Sequence, residues 1–129
     1  MKLDLMTPER RLAEEEAVKI VAEGSHGAFV LLPRHADAVI PLPPGVLGWD
    51  DAEGVRRWVG HDEAVLVKCG DAVSVAARRA VQGDSLEALR RTVRREFLAY
   101  AEHERDARQA LARLEAGVMR RLMDLEGRT

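Results

Sequence analysis

The sequence predicts an α+β chain in which the two kinds of structure follow one another. An antiparallel β part over residues 1–83, a small sandwich or barrel, precedes a two-helix antiparallel hairpin over residues 84–129. Three observations carry this. Short apolar runs recur through the first part at roughly ten-residue spacing, each closed by turn formers. From Asp84 to Glu126 the apolar spacing becomes three and four, with no proline and only one glycine, Gly117. The 129 residues are 47% apolar and 33% charged, a balance that builds a core rather than a disordered chain.

The strands come in order. Lys2 to Met6 alternates, with Leu3 and Leu5 on one side, and stops at Thr7-Pro8. Ala17 to Ala22 is apolar apart from Lys19 and carries β-branched Val18, Ile20 and Val21. Gly24-Ser25-His26-Gly27 supplies a tight reversal, and Phe29 to Leu32 resumes strand character. Pro33, Pro41, Pro43 and Pro44 forbid a helix in the segment that follows. Val46–Trp49 and Val55–Val59 flank Asp50-Asp51-Ala52-Glu53-Gly54, a hairpin by composition; Ala64–Lys68 and Ala72–Ala76 flank Cys69-Gly70-Asp71, another. This makes seven or eight short strands.

The helical part begins where Asp84, with Glu87 three residues on, resembles a capping box, so the helix starts at Ser85 or Leu86. Leu86, Leu89, Val93, Phe97 and Tyr100 form one stripe, and Leu111, Leu114, Val118, Leu122 and Leu125 a second. Between them Glu102-His103-Glu104-Arg105-Asp106 is polar throughout. One unbroken helix would run about 64 Å. Two antiparallel helices turning in the polar stretch bury both stripes against each other, and this is the expected form. No strong breaker enforces the turn, and a sequence open to both forms is suited to switching between them.

Charge and composition exclude whole classes of function. Twenty Lys and Arg stand against twenty-two Asp and Glu, a net of −2, so no global field gathers nucleic acid. The longest apolar run, Ala28 to Leu32, is far too short to span a bilayer. Asp4, Glu9, Arg10 and Arg11 interrupt the first residues, which leaves no signal-peptide core, and a soluble cytoplasmic protein is expected. Cys69 is the sole cysteine and reads as a small side chain at a strand end, with no disulfide and no multi-cysteine metal site. Ser25, Ser74 and Ser85 lie in no nucleophile elbow, and no glycine-rich phosphate loop is present. His26, His35, His61 and His103 lack metal-ligand spacing; His61 beside Asp62 and Glu63 reads as a solvated turn. No catalytic residue, metal or cofactor is expected, and the chain is predicted not to be an enzyme.

The arginines are the remaining chemical signal. Arg90, Arg91, Arg94 and Arg95 fall on one face, opposite Leu89, Val93 and Phe97. All ten cations beyond residue 82 are arginine, and Glu87 lies four residues before Arg91. A solvated face and a docking site for an acidic protein are both compatible with this pattern. The planar guanidinium fork suits carboxylate partners. Nucleic acid would require stacking aromatics, and Phe97 and Tyr100 fall on the apolar stripe instead.

Taken in sequence, these segments resemble the epsilon subunit of rotary F-type ATP synthases along essentially the whole chain. Gly24-Ser25-His26-Gly27-Ala28-Phe29 and Leu32-Pro33-Arg34-His35-Ala36 are similar to that family's G-x-x-G strand and its P-G-H-A or P-R-H-A segment. Pro44-Gly45-Val46-Leu47 resembles the next strand, and Ala76 to Val81 with Gly83-Asp84-Ser85-Leu86 resembles the sandwich exit and first helix. Leu31 to His35, Leu66 to Gly70 and Arg113 to Gly117 are similar to the alternate N-type subgroup, many of whose complexes are thought to pump sodium. The ion itself is selected by ring residues on another chain.

The resemblance implies a β-sandwich that grips the gamma shaft and stands on the membrane rotor ring of c subunits, coupling ion flow to ATP synthesis or hydrolysis. It implies a peripheral place on the cytoplasmic face of the bacterial inner membrane. Ser25, His26, Gly27, Arg34 and His35 would face the ring, with Ala28 where many relatives carry an acid. Arg90, Arg91, Arg94 and Arg95 would meet the catalytic beta subunits and restrain hydrolysis. Of the family's nucleotide-binding pattern, Leu86-Glu87-Ala88-Leu89-Arg90-Arg91 keeps only Arg90, and Phe97 stands where a later arginine would be. A nucleotide-sensing regulator and an unrelated basic-helix adaptor are the alternatives.

Overall fold

The computed structural model describes residues 1–127, apart from the side chains of Tyr100 and Ala101; the stripe position at Tyr100 therefore lies outside the described residues. Ten strands come first: β1 (Lys2–Met6), β2 (Arg11–Glu16), β3 (Lys19–Gly24), β4 (Gly27–Leu31) and β5 (Ala38–Leu42), then β6 (Gly45–Asp50), β7 (Arg56–His61), β8 (Ala64–Cys69), β9 (Ala72–Ala77) and β10 (Ala80–Gly83). They form two five-stranded sheets, ordered β2-β1-β9-β8-β5 and β10-β7-β6-β3-β4. The result is a sandwich rather than a barrel. Neighbours are antiparallel except β1 and β9, which pair in parallel with Leu3 opposite Val73.

The expected hairpins form at their turn residues. Gly54 and Gly70 take positive φ, the backbone conformation glycine adopts without steric cost. The Asp51 carboxylate accepts from the backbone N–H of Glu53 (2.9 Å) and Val55 (3.0 Å), closing the β6–β7 turn. Three strands beyond the expectation, β2, β5 and β10, all lie at sheet edges. Glu14, Glu15 and Glu16 hide β2 from a propensity reading, yet charge is what keeps an exposed edge from pairing with another chain. Pro41 sits in β5 opposite Val65, where its missing N–H costs no ladder bond on the open side.

Alternation fills the space between the sheets. β8 and β9 bury every second residue, and Leu3, Leu5, Ile20, Leu31, Leu47, Trp49, Val59, Leu66, Val73 and Val75 make the core. The Trp49 indole N–H donates to Glu15 of β2, tying the two sheets together. β6 instead buries five residues in a row, Gly45 to Trp49, because both of its faces are covered.

That second cover is helical. α1 (Leu86–Thr92) starts where expected, capped by Ser85, whose hydroxyl accepts from the Ala88 N–H (3.3 Å). A π-helical stretch, Val93–Leu98, follows. Leu89, Val93 and Phe97 pack with Val46, Trp58 and Leu86 on the outer face of the second sheet. The first stripe therefore buries against strands, not against a second helix.

α2 (Ala99–Glu126) is one helix, and it runs straight through Glu102 to Asp106. The two-helix hairpin expected over residues 84–129 is not formed. Glu102, Glu104 and Arg105 are good helix formers, and a polar stretch without proline or glycine gives the helix no reason to stop. Leu111, Leu114, Val118, Leu122 and Leu125 of the second stripe are exposed. The chain divides into two compact units, Met1–Leu98 and one that begins at Ala99.

His61 differs from its expectation as a solvated residue: it is fully buried at the end of β7. Its Nδ1 lies 2.7 Å from the Asp62 carbonyl, so that nitrogen carries the hydrogen of the neutral ring, and Nε2 has no partner among the described residues. Burial pushes the imidazole below its ordinary 6.5, against smaller opposing effects from the Asp62 carbonyl and the carboxylates of Glu23 and Asp62. The unfolded chain then takes up a proton near pH 6.5 that the folded chain refuses. Stability is level above that pH and falls as pH drops from about 6.5 towards 5. His61→Asn keeps a donor for Asp62 and should flatten this fall in urea midpoint; equal slopes for the two proteins would contradict it. At Gly48 an added Cβ would stand 2.6 Å from the Trp58 ring. Gly48→Ala is expected to cost about 1–3 kcal/mol in urea unfolding, with the slope on denaturant unchanged.

Candidate functional site

The sandwich offers two ends and one uncovered face. At one end the β3–β4 turn carries exposed Ser25, His26 and Gly27. The β1–β2, β7–β8 and β9–β10 turns and the Pro43-Pro44 link lie at the same end. A groove of about 730 Å³ opens there, lined by Met6, Pro8, Ser25, Pro41, Pro43 and Val65 among others, mostly apolar. The end is held stiffly. Arg79 reaches Asp62 Oδ2 with Nη2 at 2.9 Å and Nε at 3.2 Å, and Asp62 is only 1% exposed. The Asp62 N–H donates to the Arg79 carbonyl (2.9 Å), and the Arg78 N–H to that of Glu63 (3.1 Å).

Arg34 and His35 lie elsewhere. β4 runs from the Gly27 turn to Leu31, opposite Ile20, so the loop that follows emerges at the far end of the sandwich. There His35 Nδ1 is 2.7 Å from the Ala36 carbonyl, and Asp37 accepts from the Gly70 N–H (2.8 Å) of the β8–β9 turn. The five residues expected to share one contact thus divide into Ser25, His26 and Gly27 at one end and Arg34 and His35 at the other. Beside the second group, Arg56 grips Asp50 in a bidentate pair at 2.6 and 2.9 Å, which holds the Asp50 carboxyl below its ordinary range.

The uncovered face is the outer side of the first sheet. Val39, Val65 and Val67 are 70%, 42% and 36% exposed there, with Val39 paired to Val67 across β5 and β8. Outward positions of a solvated sheet ordinarily carry polar groups. The signal was in the sequence: the β8 segment Ala64–Cys69 is apolar on both of its faces, with Ala64 and Leu66 inward and Val65 and Val67 outward. Val65 and Pro41 belong to this face and to the groove, so the two are continuous.

On the helical segment, Arg91, Arg94 and Arg95 are exposed as expected. Arg90 is engaged, with Nη2 3.5 Å from Glu23 Oε1 on β3. Sequence reading missed this pair and the placement of the Arg79 guanidinium 5.4 Å from the centre of the Phe97 ring. Cys69 is exposed at the end of β8. Among the described residues no group of three His, Cys, Asp or Glu side chains is placed to hold a metal ion, and no helix is long and apolar enough to cross a membrane. Three surface features stand out: an apolar sheet face, a groove continuous with it, and a cationic helix face.

Known proteins share this plan. Residues 1–83 match the family model of the ATP synthase delta/epsilon chain β-sandwich domain. The ATP synthase epsilon chain 2 of Paraburkholderia xenovorans is 36% identical over 125 residues, covering 95% of this chain and 90% of its own. That of Cereibacter sphaeroides, also an epsilon chain 2, is 35% identical over 125 residues, covering 95% and 86%. In solved structures, a chain of the Tetrahymena thermophila mitochondrial ATP synthase central stalk and c-ring has the same fold, with a TM-score of 0.53 at 17% identity over 62% of this chain and 64% of that one. With its sandwich matched from end to end and its relatives aligned along nearly its whole length, the chain belongs to the delta/epsilon chain family of F-type ATP synthases.

Proposed function

We propose that the chain is a non-catalytic rotor component of the central stalk, peripheral at the cytoplasmic face of a bacterial inner membrane. The observation that carries this reading is the unequal covering of the two sheets. One outer face is closed by Leu89, Val93 and Phe97, and the other presents Val39, Val65 and Val67 to solvent. An apolar sheet face of that kind marks a protein interface. The gamma shaft lies against it and extends into the groove beside Ser25. The end carrying Ser25, His26 and Gly27 stands on the polar loops of the c ring; Arg34 and His35, at the other end, serve a different contact.

The division of labour follows the change of structure near residue 84. Residues 1–83 transmit torque, and residues 84–129 restrain ATP hydrolysis by presenting Arg91, Arg94 and Arg95 to acidic segments of the beta subunits. Arg90 contributes less, because Glu23 already neutralises it. The same pairing disfavours nucleotide sensing, since Arg90 is all that remains of the nucleotide-binding pattern. That both relatives are named epsilon chain 2 supports placement in the alternate N-type subgroup. Whether the complex moves protons or sodium is a property of the ring.

Mixing the chain with the gamma subunit from its own operon should give one species at one to one on a sizing column. Val39→Asp with Val67→Asp should weaken that complex by at least about tenfold, since both anions would be stranded in an apolar contact. Because the two carboxylates oppose each other across β5 and β8, the thermal midpoint of the free chain should fall by a few degrees while the chain stays folded. Separate elution of the unmodified chain would overturn the stalk role. Replacing Arg91, Arg94 and Arg95 by Glu should raise ATP hydrolysis by the reconstituted complex about five- to tenfold, each lost surface pair contributing under about 1 kcal/mol. An unchanged rate would remove the inhibitory role.

A further inference from the structure

We propose that the open edge of β4 is a strand-addition site, where an extended, uncharged segment of the gamma subunit pairs main chain to main chain with Ala28 and Val30. That gamma supplies the segment rests on the stalk reading above; that the edge is open to a strand rests on the sheet geometry.

Two five-stranded sheets leave four edges, and an unprotected edge is a template for a strand of another chain. Three of the four are protected. β2 presents Glu14, Glu15 and Glu16, and its pairing with β1 shifts register between Leu5 and Met6. β5 holds Pro41 and runs into Pro43-Pro44. β10 is only four residues long, and the Gln82 side chain ties it to β2 by donating to the Leu12 carbonyl (3.2 Å). β4 has none of these devices. Gly27-Ala28-Phe29-Val30-Leu31 contains no charge and no proline, and it pairs with β3 in unbroken register.

That register fixes which groups are on offer. The Ser25-His26 turn closes on Gly24 and Gly27 as a hydrogen-bonded pair, so Phe29 and Leu31 are the next β4 residues bonded to β3. Ala28 and Val30 lie between them and turn N–H and C=O to the open side, where no described residue bonds to them. The whole strand is roughly 17 Å long, enough for a short added strand. Side chains agree with this orientation. Phe29 and Leu31 pack into the core, while Ala28 is exposed and Val30 is 47% exposed. The edge ends at Leu32, whose carbonyl accepts from the His35 N–H (3.0 Å).

Position points to the occupant. Gln82 joins β10 to β2 on one side of the sandwich, so β4 and β5, the other two edges, bound the opposite side. β5 also borders the outer face of the first sheet, and its Val39 is the most exposed of the three valines there. A protein lying on Val39, Val65 and Val67 therefore reaches β4 by continuing round β5. Valine contacts alone leave such a partner free to slide. Main-chain pairing fixes its register and direction, which a joint that carries torque requires.

Residue-resolved amide exchange on the full chain, free and with its cognate gamma subunit, tests the pairing. The Ala28 and Val30 amides should slow at least about tenfold in the complex. A formed complex in which neither slows would overturn the proposal and leave the stalk role standing. No complex at all would remove the stalk role and the proposed occupant together. Protection of both amides that rises with the concentration of the free chain would assign the edge to a second copy, and would also overturn the proposal. A pair of variants gives an independent arm. Val30→Pro removes the outward donor without breaking a bond to β3, as Pro41 does in β5, and should weaken the gamma complex at least about tenfold. Val30→Thr keeps the main chain intact and should bind within about twofold of the unmodified chain. Equal affinity of the two variants would contradict main-chain pairing. The exchange measurement needs no substitution, so it decides even where Val30→Pro fails to fold.

Discussion

The packing of Leu89, Val93 and Phe97 on the second sheet is the contact on which the molecule's asymmetry depends. A two-sheet sandwich has two outer faces, and each must be polar, covered or reserved for a partner. Here the second sheet is covered from within the chain, which is why β6 can be apolar over five consecutive residues. The first sheet has no such cover and still places valines on its outer side. Direction follows from that difference: one face belongs to the chain's own helical segment, and the other is the face proposed for another protein.

Stiffness at the groove end serves the same purpose. On the proposed stalk role, the chain passes torque between two partners and must not deform between its two contacts. The two Arg79 bonds to one Asp62 oxygen, the reciprocal backbone bonds between the β7–β8 and β9–β10 turns, and the Pro43-Pro44 link all restrict that end. Arg79 also touches Phe97, so the fastening of the end and of the helical segment share a residue. His61 belongs to this region as a buried neutral imidazole beside Asp62, where protonation would work against the fold.

Much of the architecture was legible in the residues. The three hairpin turns, the start of α1 and the arginine face follow from turn chemistry, capping and spacing. The edge strands were not legible, because β2 and β5 carry the glutamates and proline that protect an edge and that propensity counts against a strand. The helical hairpin was inferred from two apolar stripes that needed partners. The first stripe found its partner in the second sheet, and nothing between residues 102 and 106 breaks a helix. The ring-contact set failed to gather because a five-residue strand separates the Ser25 turn from the Arg34 loop, and sequence order does not reveal which end of a sandwich a loop occupies. The π-helical stretch at Val93–Leu98 was not legible, because its apolar residues keep the same spacing of three and four as an ordinary helix.

The central claim is that the first sheet's outer face is the docking surface for the stalk partner. Carbene footprinting of the chain with and without its cognate gamma subunit tests it at residue level. The account predicts that Val39, Val65 and Val67 lose labelling when gamma is bound, while Arg56 and Val55 at the far turn keep theirs. Unchanged labelling of all three valines in a formed complex would contradict it and move the interface to another surface of the sandwich.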